Sequence, residues 1–194
     1  LGENQIKRQL LQAYEWCQAE GCAGTELHRA LKAAFQCGKR IRTETGLNQG
    51  TLCVGTAAIL RGEQRLGGLE GKVCLIIGAG KIGRLAAQAI ADRKPARLCI
   101  VNRSRENAEQ LGAPLGGEAY GLEDLDRLLP EADFIVGAAW APEQALTRER
   151  YERLRPAGAA SRQVCMIDVA VPRILDPALG ELPGVELYNI EAME

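Results

Sequence analysis

The residues with the clearest chemical content are Gly78-Ala79-Gly80-Lys81-Ile82-Gly83 and, about 20 residues further on, Asn102-Arg103-Ser104. Three glycines at this spacing suit recognition of phosphate by main chain. Gly78 allows a tight turn off a strand, Gly80 removes a side chain where the backbone must approach a pyrophosphate, and Gly83 lets a helix pack closely on that strand. The phosphates would then rest on unpaired amides at a helix N-terminus. Asn102-Arg103-Ser104 stands where an NAD site carries an acidic residue for the ribose 2′-hydroxyl. A carboxylate would repel a 2′-phosphate, whereas a guanidinium forms charge-assisted bonds to it and Asn102 and Ser104 add neutral donors. The expected ligand is therefore NADPH rather than NADH. Glycines also cluster in ordinary turns and arginines on ordinary surfaces, so the inference rests on the elements that flank both stretches.

Those elements have the required order. Apolar runs at 73–77, 98–101, 134–138, 164–169 and 185–188 alternate with helix-like stretches at 81–92, 105–111, 122–129 and 147–154. Strands alternating with helices give right-handed crossovers and a parallel sheet, which predicts an α/β, Rossmann-type domain over 67–194. Upstream, helical spacing runs over 4–19, 26–38 and 51–64, with connecting turns at 21–24 and 45–50. A helical segment, 1–66, thus precedes the nucleotide domain.

Composition narrows the class. With 194 residues, 46% hydrophobic content and a net charge of −1, the chain can bury a core and offers nucleic acid no global attraction. No window is long and apolar enough to cross a membrane. The seven cysteines (17, 22, 37, 53, 74, 99 and 165) include no C-x-x-C pair and predict reduced, mostly buried thiols that pack as small hydrophobes. No metal site is expected. His28, the only histidine, reads as a partly exposed residue without a partner. Asp168, at the C-terminal end of an apolar run, is equally compatible with capping a loop and with chemistry.

Four further segments carry a resemblance. Gly2-Glu3-Asn4-Gln5-Ile6 with Gln9, Gly38-Lys39-Arg40-Ile41-Arg42-Thr43-Glu44-Thr45, Ile167-Asp168-Val169-Ala170-Val171-Pro172-Arg173 and Leu187-Tyr188-Asn189-Ile190 resemble, in order and register, segments of bacterial glutamyl-tRNA reductases. The resemblance implies NADPH-dependent reduction of glutamyl-tRNA to glutamate 1-semialdehyde, which opens tetrapyrrole (porphyrin) synthesis, through a thioester on a cysteine. It implies that Glu3, Asn4, Gln5 and Gln9 line the glutamate pocket and that Gly78 to Gly83 hold the cofactor. It also implies a cytoplasmic homodimer, with glutamate-1-semialdehyde aminotransferase as a possible partner.

The sequence departs from that family in places. The Thr-Cys-Asn-Arg context of the family's nucleophile does not occur here, so the thioester cysteine is expected outside this chain, which reads as an internal section of a longer protein that is inactive alone. Lys7 takes a place that is usually aliphatic. Lys39, Arg40 and Arg42 could meet tRNA phosphates or the substrate's carboxylate, and equally well form a solvated helix end with Glu44. Two other readings remain at this stage: a shikimate-dehydrogenase-like NADP oxidoreductase, which shares Asn-Arg-Ser after the second strand, and a non-catalytic NADP-sensing module.

Overall fold

The structure, a computed structural model, describes residues 4–45, 54–141, 144–155 and 162–189. They form two compact units, Leu1–Leu52 and Cys53–Glu194. In the first, α1 (Asn4–Ala19) and α2 (Thr25–Thr45) are joined by a turn in which Gly21 takes a left-handed φ of 68°. Tyr14 on α1 hydrogen-bonds Nδ1 of His28 on α2, so the histidine expected to stand alone has an aromatic partner. The helix expected over 26–38 runs on to Thr45, where Arg40 donates to Glu44 one turn later at 3.1 Å and Thr43 bonds back to the Lys39 carbonyl. Gly38 does not stop it, because a helical glycine costs only about 1 kcal/mol.

In the second unit, α3 (Val54–Leu66) precedes β1 (Val73–Ile77), α4 (Lys81–Ala91), β2 (Arg97–Val101) and α5 (Arg105–Gly112). There follow β3 (Glu118–Tyr120), α6 (Leu125–Leu128), β4 (Phe134–Gly137), α7 (Arg148–Leu154), β5 (Val164–Asp168) and β6 (Val185–Asn189). All strands run parallel in the order β3-β2-β1-β4-β5-β6. The connection therefore reverses direction between β1 and β4, which makes the space beyond their C-terminal ends a topological switch point.

Strict alternation of side chains splits the core into two layers. Cys74, Ile76, Leu98, Ile100, Phe134, Val136, Cys165 and Ile167 face Ile59 of α3, Ala86 and Ile90 of α4 and Leu111 of α5. Leu75, Ile77, Cys99, Val101, Ile135 and Met166 face Leu125 and Leu128 of α6 and Tyr151 of α7. Both faces are covered, so the strands read as unbroken apolar runs, and each fully buried Leu, Ile or Phe contributes about 1.5–3 kcal/mol.

Three expectations meet a different outcome. α3 packs with the sheet: a Cβ on Gly62 would overlap the Phe134 ring, and Arg61 lies 4.7 Å above the Tyr188 ring. Arg65 of α3 also pairs with Glu186 of β6. The compact sheet unit thus begins at Cys53, whereas the sequence suggested 67. β3 was invisible as an apolar run because it is only Glu118-Ala119-Tyr120 on an edge, between Gly117 and Gly121. The expected helix over 122–129 divides into a 3-10 turn, Leu122–Asp124, and α6.

Candidate nucleotide-binding site

β1 ends at Ile77, and the next residue leaves the sheet with a φ of 115°, a conformation that favours glycine. Gly78 is also crowded: a Cβ there would come within 2.6 Å of the Ala139 amide. Its own N–H bonds the Val101 carbonyl of β2 at 2.8 Å, and Ala138 N–H bonds the Ile77 carbonyl at 2.8 Å, so the turn is tied to both neighbouring strands. Gly83, buried in α4, touches the same turn, and a Cβ on it would overlap the Gly78 carbonyl oxygen.

Gly80 differs from both. It begins α4 with φ −74° and ψ −170°, angles open to any residue, and a Cβ there would meet nothing nearer than the Ala138 carbonyl oxygen at 4.0 Å. Neither the backbone nor the packing requires glycine at this position. The first-turn amides of α4 have no carbonyl four residues earlier in the helix and are open to an anion.

In front of this turn lies a cavity of about 610 Å³, within the range of cofactor pockets. Gly78, Ala79 and Gly80 line it beside β1, and Asn102, Arg103 and Ser104 line it beside β2. Lys81, Ile82 and Gly83 stand behind it as the first turn of α4, Ile82 packing into the core. Asn102 holds the two walls together: its Oδ1 accepts from Ala79 N–H at 3.2 Å and its Nδ2 donates to the Ser104 carbonyl at 3.0 Å. Asn102, expected to offer a donor to the phosphate, thus also braces the cavity it lines. Ser104 caps α5 by accepting from Asn107 N–H. Arg103 is exposed and makes no hydrogen bond or ion pair among the described residues, which leaves its five donors available to an anion.

The far wall, which the sequence did not reveal, is Ala138, Ala139, Trp140 and Ala141 after β4, with Ala145 and Arg150. Its signal was positional: these residues follow the strand on the other side of the switch point. Arg150 is already engaged, donating to Asp126 at 2.6 Å and to the Ala145 carbonyl at 2.8 Å.

Asp168 lies apart from this cavity and acts on a loop. It is buried, and its carboxylate accepts from Ala170, Ile174 and Leu175 N–H at 2.9, 2.8 and 2.8 Å. Three backbone donors account for a buried charge, and they pin the turn after β5. Glu3 lies outside the described residues, Asn4 and Gln5 are placed in α1 by backbone alone, and Gln9 is exposed on α1. The described residues hold no cluster of three or more metal-ligating side chains. Cys74, Cys99 and Cys165 are buried, whereas Cys22 and Cys37 are exposed and Cys17 is partly so, which departs from the mostly buried thiols expected. Cys53 lies outside the described residues. Burial pushes the Cys74 and Cys165 thiols up to about 12 and Cys99 to about 11, so none of the three supplies a thiolate near neutral pH.

Comparison with known proteins agrees with this geometry. Residues 61–194 match the family model of shikimate / quinate 5-dehydrogenase, and residues 1–45 match that of the glutamyl-tRNAGlu reductase N-terminal domain. The chain is 39% identical over its whole length to a glutamyl-tRNA reductase of Methanothrix thermoacetophila and 40% identical over 98% of its length to one of Methanosarcina acetivorans. These alignments cover 46% and 41% of the two relatives, so the chain spans about half the length of the curated proteins it matches. The solved glutamyl-tRNA reductase from Methanopyrus kandleri superposes with a TM-score of 0.68 at 30% identity, over 99% of this chain and 48% of that one.

Proposed function

This chain belongs to the glutamyl-tRNA reductase family, its residues 61–194 to the shikimate / quinate 5-dehydrogenase domain family, and on that premise we propose that its sheet unit binds NADPH at the switch-point cavity. The observation that carries the reading is Gly80: a glycine that neither backbone nor packing requires, opening on a cavity of about 610 Å³ with an unengaged arginine on its opposite lip. When bound, NADPH supplies a hydride donor. The chain's own residues do the positioning. First-turn amides of α4 receive the pyrophosphate, Arg103 receives the 2′-phosphate, and Asn102 keeps Ala79 and Ser104 at a fixed separation. Small side chains at 138, 139 and 141 leave room beside β4 for the other half of the cofactor.

Within the whole protein, this site would serve the reduction of glutamyl-tRNA to glutamate 1-semialdehyde, the first step of tetrapyrrole synthesis. The buried thiols at 74, 99 and 165 are unsuited to carry the acyl group, and none of the chain's cysteines has the Thr-Cys-Asn-Arg context of the family's nucleophile, so the thioester is assigned to a cysteine outside this chain. Glu3, Asn4, Gln5 and Gln9 would line the glutamate pocket, where buried polar bonds select glutamate over analogues that lack its groups. A cytoplasmic homodimer that hands its aldehyde to glutamate-1-semialdehyde aminotransferase belongs to the same reading. No helix among the described residues is long and apolar enough to cross a membrane.

The shikimate / quinate match over 61–194 supports a second reading, a small-molecule NADP oxidoreductase; the match of residues 1–45 favours the first. Calorimetric titration tests the cofactor assignment. NADPH should bind at least about ten-fold more tightly than NADH, and Arg103→Glu should remove that preference by weakening NADPH about ten- to a hundred-fold while sparing NADH. Equal dissociation constants in the unsubstituted chain would overturn it. Shikimate-dependent reduction of NADP+ would favour the second reading.

A further inference from the structure

The geometry points to Trp140 as the residue that stacks on the nicotinamide half of the cofactor and so sets how tightly that half is held, an inference that rests on the NADPH reading above. Trp140 is 74% exposed, although it is one of only two tryptophans in the chain and carries one of the largest apolar surfaces a residue can offer. Scattered exposed apolar residues are common on any surface. This one lines the cavity, and the residues around it, Ala138, Ala139, Ala141 and Ala145, are all small, so a single flat ring stands at the rim of a hollow.

The topology decides which half of a dinucleotide it would meet. Arg103 follows β2, on one side of β1, and marks the end that takes an adenosine 2′-phosphate. Trp140 follows β4, on the opposite side of β1. A dinucleotide whose pyrophosphate crosses the turn after β1 therefore directs its adenosine toward Arg103 and its nicotinamide toward Trp140. The chemistry is matched, because nicotinamide is a planar ring whose amide already supplies its polar edge and an indole offers a flat apolar face.

Fluorescence tests this directly in the full chain. Trp16→Phe, on the surface of α1 in the other unit, leaves Trp140 as the only indole, whose emission overlaps the absorption of reduced nicotinamide. Added NADPH should quench Trp140 and produce sensitised nicotinamide emission, which reports that the cofactor binds near the indole; the stacking itself is read from the affinities of substituted chains. Trp140→Ala should weaken NADPH about ten-fold, Trp140→Phe should restore most of that loss, and adenosine 2′,5′-bisphosphate, which lacks nicotinamide, should bind all three forms alike. NADPH binding of unchanged strength to Trp140→Ala, or an equal loss for adenosine 2′,5′-bisphosphate, would overturn the assignment of Trp140 while leaving the cofactor reading intact. Failure of the unsubstituted chain to bind either nucleotide would overturn both.

Discussion

At the N-terminal ends of the strands, charges are matched to one another, whereas at the C-terminal ends the same strands run into glycine, alanine and an unengaged cation. Arg97, which opens β2, donates to both oxygens of Glu118 at 2.9 Å and to Glu131 at 2.5 Å, and Tyr120 also bonds Glu118. Asp133, just before β4, accepts from Val73 N–H at 2.9 Å and from Arg162 at 2.8 and 3.0 Å. At the opposite edge, Gly78, Gly80 and Ala138 to Ala141 line a cavity, and Arg103 has no partner among the described residues. One edge pairs its charges with one another, and the other keeps a cation and a cavity open beside its own internal bonds, so the first should govern stability and the second binding.

Glycine substitutions should separate the two most sharply. Gly83→Val drives a side chain into the Gly78 carbonyl and should lower stability by about 1–3 kcal/mol by overpacking, in addition to abolishing NADPH binding. Gly80→Val, at the N-cap of α4, should lower the thermal midpoint far less than Gly83→Val and still remove NADPH binding. Parallel calorimetry and thermal melts check both, and a large drop in midpoint for Gly80→Val would break the comparison.

Asp133→Ala should show the reverse pattern. It leaves the Val73 amide without its acceptor and removes the carboxylate from Arg162, which keeps only the Pro130 and Glu131 carbonyls; this costs about 1–3 kcal/mol in denaturant unfolding, while the NADPH dissociation constant stays within about two-fold.

The smallest effect is expected at Glu118. Hydrogen bonds from Arg97 and Tyr120 hold its carboxyl down at about 2, against an ordinary value of 4.5. A lowered folded-state value means that the ionised form is favoured by folding, so the contribution is complete above pH 4.5 and is lost as pH falls toward 2. Because the side chain is 44% exposed, the effect should stay below about 1 kcal/mol. Glu118→Gln should flatten the acid limb of the stability profile over that interval and leave neutral-pH binding untouched.

Much of the sheet was legible because a strand covered on both faces must be apolar along its covered length, as β1 and β4 are, and as β2 is after Arg97 and β5 is before Asp168. β3 was not, since a three-residue edge strand bounded by glycines has no room for a pattern. The glycine loop and Arg103 were visible as types at a spacing. The brace made by Asn102 and the loop anchor made by Asp168 were not, because both depend on which amide lies within reach after folding.

The sequence by itself determined that a parallel sheet would form and which of its turns would need glycine, because buried strands and tight turns restrict residue type locally. Only the tertiary structure decided that α3 would close the core over Phe134, that Ala138 to Ala141 would supply the cavity's far wall, and that Trp140 would stand at its rim. Those relations join residues distant in the chain, and no local propensity or periodicity encodes the distance between them.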